Sequence, residues 1–436
     1  MPKAERGINE LYRDDPERAD AVVFGRRGLL KGVSLAAMGA AVGAAIPFAA
    51  RMPTGLIPAA LAQAGGAAAP KMLSMPGKAG LVVLQDRPLV CETPEHMLDD
   101  EVTPNDKFFI RNNGGVPDAP ADPKAWKIKV DGEVNTPLEL NLGEIEQRFP
   151  AVTLKLQLEC GGNGRAGFQP EARGNQWSNG AIGCAEYTGV RLKDVLAAAG
   201  PKPSAVYTAH VGADPHLSGQ AGQLSISRGV RLAKAMDEHT IIALRMNGQP
   251  LPAIHGGPVR LVVPGWPGSA SHKWLTRIWI RDKEHDGPGM TGTSYRVTRK
   301  PMIPGGKVDD ANMTILESMP VRSIITSVAH GAELAAGTRK LPVRGHAWAG
   351  ELAVSQVEVS VDYGATWKKA DLRAPSNKFA WQRWSTEVDL PSDGYYEIWA
   401  KATDASGRAQ PHVVGNWNPQ GYGGNAFHRV AVLVKA

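Results

Sequence analysis

Short runs of alternating apolar and polar residues recur along this chain, and they predict β-strands. The clearest run covers residues 154–159, where leucines at every second position alternate with Lys, Gln and Glu. A period of two is typical of a strand with one buried face. The run ends at Cys160 and a Gly-Gly-Asn-Gly turn, which places a thiol at the end of the strand. The two glycines leave room for a bulky group to approach the sulfur.

A second group of alternating runs lies in the last third of the chain, separated by turn signals. The strands predicted there cover residues 322–328, 341–348, 354–361, 381–388, 394–402 and 429–434. Their number and spacing favour an immunoglobulin-like β-sandwich. We therefore expect a first domain over residues 101–296, a Pro- and Gly-containing linker over 297–311 and a sandwich domain over 312–436.

The N-terminal segment resembles a twin-arginine export signal. Arg26 and Arg27 precede a weakly apolar run at 32–50, and an Ala-Gln-Ala cleavage pattern follows at 62–64. We expect residues 1–64 to be removed on export to the periplasm, with no stable membrane span afterwards, and residues 65–100 to form an irregular arm. A membrane anchor is the alternative, because the apolar run is long enough to cross a bilayer. The twin-arginine route carries folded proteins, which favours a bound cofactor.

Composition and charge narrow the classes of function. The 436 residues suffice for two domains, and 49 Gly with 33 Pro favour strands and loops over a helical bundle. The formal net charge of +6 comes from interleaved charges without a long basic block, which gives nucleic-acid binding only weak support. A small anion or an acidic partner protein is compatible with this charge.

The three cysteines exclude two further classes. Cys91, Cys160 and Cys184 form no CxxC pair, so neither a disulfide framework nor a structural zinc site is predicted. Cys91 and Cys184 are interpreted as structural thiols. The sequence has no CxxCH haem-attachment motif, and a covalently attached haem would therefore belong to a partner.

Cationic and hydrogen-bonding residues follow several predicted strands. Arg111 ends the apolar triplet 108–110 and is followed by two asparagines, and Arg is the side chain best suited to bind an oxyanion. Four more such groups flank the apolar run at 261–263, namely His255, Arg260, His272 and Lys273. Together they are suited to holding a phosphate without a GxxxxGK[ST] loop, which is absent from the sequence.

Other candidates have two interpretations from the residues alone. Cys160 is either a soft metal ligand or a small buried residue at a strand end. Trp177 is either core or a pocket wall, and Tyr295 is either a proton donor or a packed aromatic. His210, Asp214 and His216 follow no zinc spacing and are more simply polar loop residues.

Five ordered motifs together resemble the sulfite oxidase family of molybdopterin enzymes, and within it the bacterial exported sulfite dehydrogenases. They are FFIRN at 108–112, CGGN at 160–163, HGGPVR at 255–260, KWL at 273–275 and Tyr295. The resemblance extends from about residue 103 to the C-terminus. It implies an α+β, mostly β fold: a sulfite-oxidase-type molybdopterin domain followed by an immunoglobulin-like dimerisation domain.

The resemblance also implies the site. Cys160 would be the protein's thiolate ligand to molybdenum. The pterin and its phosphate would be held by Phe109, Ile110, Arg111, Asn112, Asn113, Asp214, His255, Arg260, Ser271, His272 and Lys273. The substrate would be surrounded by Arg111, Arg165, Trp177 and Tyr295.

The implied activity is oxidation of sulfite to sulfate at a molybdenum–molybdopterin centre, with electrons passing to an external c-type cytochrome and two chains forming a homodimer. The animal members have a His where this chain has Asn113, and they carry a fused haem domain with a His-Pro-Gly-Gly motif that is absent here. They also bring a substrate-pocket Arg from the second domain. Arg383 is a candidate for it, but it is displaced by one position, so it is not included in the site.

Two alternatives stay open at this point. One is the sulfane dehydrogenase subunit of a thiosulfate-oxidising system, which would share the fold and cofactor. The other is a cofactor-free exported binding protein, which would contain no metal and would tolerate the Cys160→Ser substitution.

Overall fold

β-Strands, most of them in antiparallel pairs, are the main regular secondary structure of this computed structural model, which describes residues 70–436. The predicted export signal lies outside the described residues, as do residues 65–69 of the predicted arm. Residues Lys71–Ala436 form one compact unit. The mostly β fold class predicted from the sequence is confirmed. None of the helices in the described part of the chain is long and apolar enough to cross a bilayer.

The described residues up to Arg281 contain thirteen strands and three short helices. The strands are β1 Val82–Gln85, β2 Val90–Glu92, β3 Ile110–Arg111, β4 Lys127–Gly132, β5 Leu138–Asn141, β6 Ala151–Glu159, β7 Ile182–Arg191, β8 Tyr207–Gly212, β9 Ser227–Arg231, β10 Ile241–Met246, β11 Gln249–Pro250, β12 Arg260–Val262 and β13 Leu275–Arg281. The α-helices are α1 Leu142–Arg148, α2 Leu192–Ala199 and α3 Leu232–Ala235. Single 3-10 turns occupy Glu95–Met97, Pro123–Ala125, Arg165–Gly167, Ala253–His255, Gly268–Ala270 and Asp310–Asn312.

These strands form three sheets. Strands β1, β2 and β3 pair in that order, so the arm predicted to be irregular contributes two strands, and Val90 lies opposite Arg111. A second sheet has the order β11-β10-β7-β6, with β12 also paired to β10. The third has the order β5-β4-β13-β8-β9. The largest hydrophobic core of this half includes residues of both five-stranded sheets and of helices α1 and α2.

Helix α2 illustrates how the sequence sets these elements. Its buried residues Leu192, Val195, Leu196 and Ala199 recur at spacings of three and four, which gives one apolar face. The helix ends at Gly200, whose φ of +63° is a left-handed conformation that glycine adopts without strain. The apolar face therefore packs into the core while the polar residues face outward.

The second half contains the remaining strands. They are β14 Arg296–Thr298, β15 Met313–Ile315, β16 Arg322–Ile325, β17 Ala332–Leu334, β18 Lys340–Trp348, β19 Val354–Ser360, β20 Lys368–Lys369, β21 Asp371–Leu372, β22 Gln382–Asp389, β23 Gly394–Asp404 and β24 His428–Val434. Strands β14 and β15 pair with each other, so residues 297 and 298 of the predicted linker belong to a strand. The sandwich has a sheet of order β16-β18-β22-β21 and a sheet of order β17-β24-β23-β19-β20, with a hydrophobic core drawn from both.

Strand β6 ends in the contact between the two halves. The sequence predicted one buried face, but residues 156–159 are all buried. The backbone N–H of Gln157 donates to the carbonyl of Phe379 at 2.9 Å, and the indole N–H of Trp348 donates to the Glu159 carboxylate at 2.8 Å. Residues of the second half therefore cover the face that alternation alone assigned to solvent.

Candidate functional site

A cleft with about 690 Å³ of empty space, its open mouth included, opens beside Cys160. Twelve of the fifteen site residues predicted from the sequence line it: Phe109, Arg111, Asn112, Asn113, Cys160, Asp214, His255, Arg260, Ser271, His272, Lys273 and Tyr295. The other lining residues are Phe108, Leu158, Ile226, Gly268, Ser269 and Trp274. The separate motifs of the sequence thus converge on one place.

Cys160 is held at the end of β6 by its own backbone. Its N–H donates to the carbonyl of Ala181 at 2.9 Å, and its carbonyl accepts from the N–H of Asn163 at 2.9 Å. The thiol is free and largely buried. A methyl group built on Gly162 would clash with the guanidinium of Arg165, so this glycine makes room for a side chain of the protein itself.

Two cations in the cleft, the buried Arg260 and the half-buried Lys273, form no ion pair in the described part of the chain. The Arg260 guanidinium donates to the carbonyls of His255 and Ser271, each at 2.8 Å. The Lys273 ammonium donates to the Asn112 side-chain oxygen at 2.7 Å and to a backbone carbonyl at 2.8 Å. A buried charge that is paired only with neutral dipoles is costly, and its presence indicates an anion-binding site.

The pKa shifts of these groups have the same origin. Burial, and then the nearby Arg260 and Arg111, lower the pKa of Lys273 well below its usual value. Burial raises the pKa of Asp214 to about 6, and the negative charge of this carboxyl partly offsets the repulsion that lowers the pKa of Lys273. A bound polyanion would relieve the repulsion among the cations and restore the charged form of the lysine.

The cleft also contains unsatisfied hydrogen-bonding groups. Both ring nitrogens of His272 and the Ser269 hydroxyl are buried without a partner in the described part of the chain. Burial and the nearby Arg260 lower the pKa of His272 to about 3, so the ring is neutral near pH 7. A neutral imidazole offers one donor and one acceptor, which suits a ligand carrying ring nitrogens or hydroxyls.

Three predicted residues lie outside the cleft lining. Ile110 packs in a small core with Leu81 and Cys91. Trp177 is fully buried in the core that contains Cys160, with its ring 6.1 Å from that of Phe109. Arg165 is also buried, and its guanidinium donates to the carbonyls of Gln420 and Asn175, each at 2.7 Å. Arg383, the displaced candidate from the second domain, is 3.9 Å from the Asp99 carboxylate.

The structure brings in residues that the sequence reasoning missed. Lys78, from the predicted arm, contacts the His255 ring at 3.0 Å. Tyr422 stacks on Tyr295 with ring centroids 4.9 Å apart, and the Arg228 guanidinium lies 4.5 Å from the Tyr295 ring. Only Tyr422 had a visible signal, because it lies in the glycine-rich run at 418–425. No pattern in the sequence marks Lys78 or Arg228.

The residues of the cleft fit a large anionic cofactor that brings its own metal ligands. Among residues 70–436, no group of three or more His, Cys, Asp or Glu is arranged to hold a metal ion. A metal beside Cys160 would therefore take one soft sulfur ligand from the protein and most others from the cofactor. Arg260 and Lys273, which form no ion pair among residues 70–436, suit a phosphate, and His272 and Ser269 offer hydrogen bonds to a heterocycle.

Comparisons with known proteins point to one group of enzymes. Residues 113–289 match the oxidoreductase molybdopterin binding domain, and residues 313–435 match the Mo-co oxidoreductase dimerisation domain. The chain is 34% identical over 366 residues to sulfite oxidase of Gallus gallus, covering 81% of this chain and 78% of that protein. It is 35% identical over 372 residues to the mitochondrial sulfite oxidase of Mus musculus, covering 81% of this chain and 66% of that protein.

Two further similarities widen this group. A nitrate reductase [NAD(P)H] of Hordeum vulgare is 32% identical over 369 residues, covering 78% of this chain and 40% of that protein. The solved structure of the sulfane dehydrogenase SoxCD from Paracoccus pantotrophus matches with a TM-score of 0.67 and 25% identity, covering 90% of this chain and 96% of that chain. The matched relatives thus act on different substrates.

Proposed function

Because the chain belongs to the sulfite oxidase family of molybdopterin oxidoreductases, we propose that it oxidises sulfite to sulfate and passes two electrons to an external c-type cytochrome. The observation that carries this proposal is the convergence of the Cys160 thiol, the cations Arg260 and Lys273, and Arg111 on one cleft. The sulfite oxidases among the matched relatives support sulfite as the substrate.

The residues that would hold the cofactor divide by chemistry. Cys160 provides the sulfur ligand to molybdenum, Arg260 and Lys273 provide charge for the phosphate, and His255, Asp214 and Ser271 line the same cleft. Phe109, His272 and the amides Asn112 and Asn113 complete the wall. Ile110 lies outside the lining, and it precedes Arg111 in strand β3. When bound, the molybdenum cofactor supplies the two-electron, oxygen-transfer chemistry.

The chain's own residues bind and orient the substrate. Sulfite is a small, strongly hydrated anion, so the pocket must replace its water with charged donors. Two arginines line the cleft, and we assign Arg260 to the cofactor phosphate and Arg111 to the substrate. The buried Arg165 lies behind the Cys160 turn, where it adds positive potential and holds the loop that carries Gln420. Trp177 packs in the core behind the lining residue Phe109.

We assign proton transfer to Tyr295, which lines the cleft. The overall conversion is sulfite plus water to sulfate, two protons and two electrons. A phenol at the cleft wall can donate a hydrogen bond to a sulfite oxygen and relay a proton toward solvent. The cytochrome removes the electrons one at a time, and this acceptor is proposed because the sequence carries no CxxCH motif of its own.

Export and assembly belong to the same proposal. The twin-arginine pattern supports export of the folded protein to the periplasm, and the match to the dimerisation domain supports a homodimer. Cell fractionation should place the mature chain in the periplasm. Light scattering of the purified protein should give twice the mass of the mature chain, and a monomer at micromolar concentration would contradict the dimer.

Oxidation of a sulfane sulfur is the second candidate. It is favoured by the SoxCD similarity, which covers 90% of this chain. Turnover of free sulfite by the isolated protein supports the first function. Full molybdenum content without sulfite turnover, together with activity on a protein-bound sulfane sulfur, would favour the second. A cofactor-free binding protein is the outcome if protein from a cofactor-competent host contains no molybdenum.

The decisive experiment combines metal content with turnover. Purified protein should contain close to one molybdenum per chain and should reduce ferricyanide or cytochrome c when sulfite is added. The Cys160→Ser variant should lose both metal and turnover, while Cys184→Ala is the matched control, because Cys184 is a buried thiol in β7 away from the cleft. Full turnover by Cys160→Ser would refute this account of the site.

A further inference from the structure

Tyr295 has a backbone conformation that is unfavourable for its residue type. Its φ of +50° lies in the left-handed region, and Trp274, which also lines the cleft, has a φ of +49°. For a residue other than glycine this conformation is strained and persists only where the surroundings enforce it. The contacts of Tyr295 therefore indicate what holds it in place.

One support is Tyr422, from the loop that precedes β24. The two rings are close to parallel, at 14°, with centroids 4.9 Å apart. A methyl group built on Gly161 would lie 3.6 Å from both rings, so the stacked pair rests on the residue next to Cys160. Tyr422 thus lies as close to the cysteine turn as the predicted site residue does.

The Tyr422 loop is fixed against the same turn. The Asn418 side chain accepts from the N–H of Tyr422 and donates to its carbonyl, both at 2.9 Å. The N–H of Gly423 donates to the carbonyl of Gly161 at 3.0 Å. The Arg165 guanidinium lies 5.3 Å from the Tyr422 ring. Because these hydrogen bonds fix the loop that carries Tyr422, the stacking of Tyr422 on Tyr295 can hold the Tyr295 ring in place.

The other support is Arg228, a fully buried guanidinium. One nitrogen donates to the carbonyl of Gly289 at 2.6 Å and contacts the Met290 sulfur at 2.7 Å. Two others, Nε and Nη2, have no partner among the described residues. Its charge instead faces the Tyr295 ring at 4.5 Å, a cation–π contact that is stronger when desolvated. Arg228 also tethers the 289–290 backbone that leads into Tyr295.

We propose that Tyr422 and Arg228 are positioning residues for Tyr295, so that the sandwich domain completes the active site through Tyr422. Neither residue acts on substrate. Tyr422 acts by stacking on the Tyr295 ring, and Arg228 by holding that ring and its backbone. The kinetic part of this inference rests on the proposed sulfite oxidation, and its structural part does not.

The kinetic test separates stacking from general stability. In fully metallated enzyme, Tyr422→Phe keeps the ring and should hold kcat/KM for sulfite within about threefold of wild type. Tyr422→Leu should lower it more than tenfold. In a Tyr295→Phe background the same Tyr422→Leu change should cost less than threefold, because its effect passes through Tyr295. Equal losses in both backgrounds would overturn the proposal.

A second readout needs no turnover. Acetylation of Tyr295 by N-acetylimidazole, followed by peptide mass spectrometry, should be at least five times faster in Tyr422→Leu and in Arg228→Met. It should be unchanged in Tyr422→Phe and in the control Tyr363→Leu, an exposed tyrosine of the sandwich that also has a positive φ. Unchanged labelling in Tyr422→Leu would refute the positioning role. Faster labelling in a protein that does not oxidise sulfite would refute the substrate and leave the positioning role intact.

Discussion

Arg322 of the sandwich domain and Glu159 of strand β6 form a buried ion pair, with the Arg322 Nε 3.5 Å from the Glu159 Oε1. Glu159 directly precedes Cys160 in the sequence. The same carboxylate accepts from the Asn163 amide at 2.9 Å and from the Trp348 indole at 2.8 Å. Arg322 also donates to the carbonyl of Asn163 at 2.8 Å. Glu159 and Asn163 flank the Gly161–Gly162 turn, so the sandwich holds the cysteine turn from behind.

Removing Arg322 should therefore be severely destabilising. In Arg322→Met the Glu159 carboxylate remains buried without its cation, and burial already raises the pKa of Glu159. We expect the free energy of unfolding in urea to fall by about 3–5 kcal/mol. Arg339→Met is the control, because Arg339 pairs with Asp393 at the surface, and it should cost less than about 1 kcal/mol.

A second substitution tests whether the unpaired charge is the cause. Glu159→Gln in the Arg322→Met background removes that charge and keeps an acceptor for the Trp348 indole. The double variant should regain part of the lost stability relative to Arg322→Met. A double variant less stable than Arg322→Met would mean that the loss comes from packing.

Local patterns and ordered motifs in the sequence named most of the residues that line the cleft. Strand β6 and the turn at Cys160 follow from alternation and glycine, and the ordered motifs brought Arg260, Lys273 and Tyr295 to one place. The burial of Glu159 could not be predicted in this way, because its partners Arg322 and Trp348 are more than 150 residues away. Tyr422 was missed for the same reason, since its role depends on a contact across two domains.

Substitution of Lys273 should stabilise the cofactor-free protein and weaken its binding of the cofactor. Burial and neighbouring cations lower the pKa of Lys273, which means that its charged form is unfavourable in the cofactor-free protein. Lys273→Met made in a cofactor-deficient host should be more stable than wild type by about 1–2 kcal/mol in thermal or urea unfolding. Made in a cofactor-competent host, it should retain less than a fifth of the wild-type molybdenum.

Lys283→Met, at an exposed lysine paired with Asp286, is the control. It should leave both the unfolding stability and the molybdenum content unchanged. A Lys273→Met protein that is destabilised without cofactor would show that this lysine has a structural role instead.

Glu92 should make stability depend on pH. Burial, and then the neighbouring Glu95, raise the pKa of Glu92 to about 7, from a usual value near 4.5. Between these two values the folded state binds more protons than the unfolded state, so the free energy of unfolding falls as the pH rises. Glu92→Gln keeps an acceptor for the Ser178 N–H and removes the titration.

The stability gained by Glu92→Gln should therefore be near zero at pH 4.5, should increase toward pH 7, and should reach about 2–3 kcal/mol at pH 8. Thermal unfolding at pH 5 and pH 8 measures the difference. Glu146→Gln, at an exposed position of α1, should show no such trend. An equal gain at both pH values would mean that the carboxyl of Glu92 does not titrate in this range.

Arg111 and Arg165 should differ in the kinetic constant they control. Arg111 lines the cleft, whereas the Arg165 guanidinium is engaged by the carbonyls of Gln420 and Asn175 and lies beside the Tyr422 ring. Arg111→Gln should raise KM for sulfite about 10- to 100-fold, the effect of losing one charged hydrogen bond. Arg111→Lys should recover part of this affinity.

Arg165→Gln should instead lower kcat and accelerate the labelling of Tyr295, because the loop that carries Tyr422 loses its anchor. Steady-state kinetics with sulfite at low and moderate salt separate the two variants, since a direct contact with a dianion is more sensitive to screening. If Arg165→Gln raised KM as strongly as Arg111→Gln without changing the labelling of Tyr295, Arg165 would bind substrate directly, and the cleft would have to open toward it during turnover.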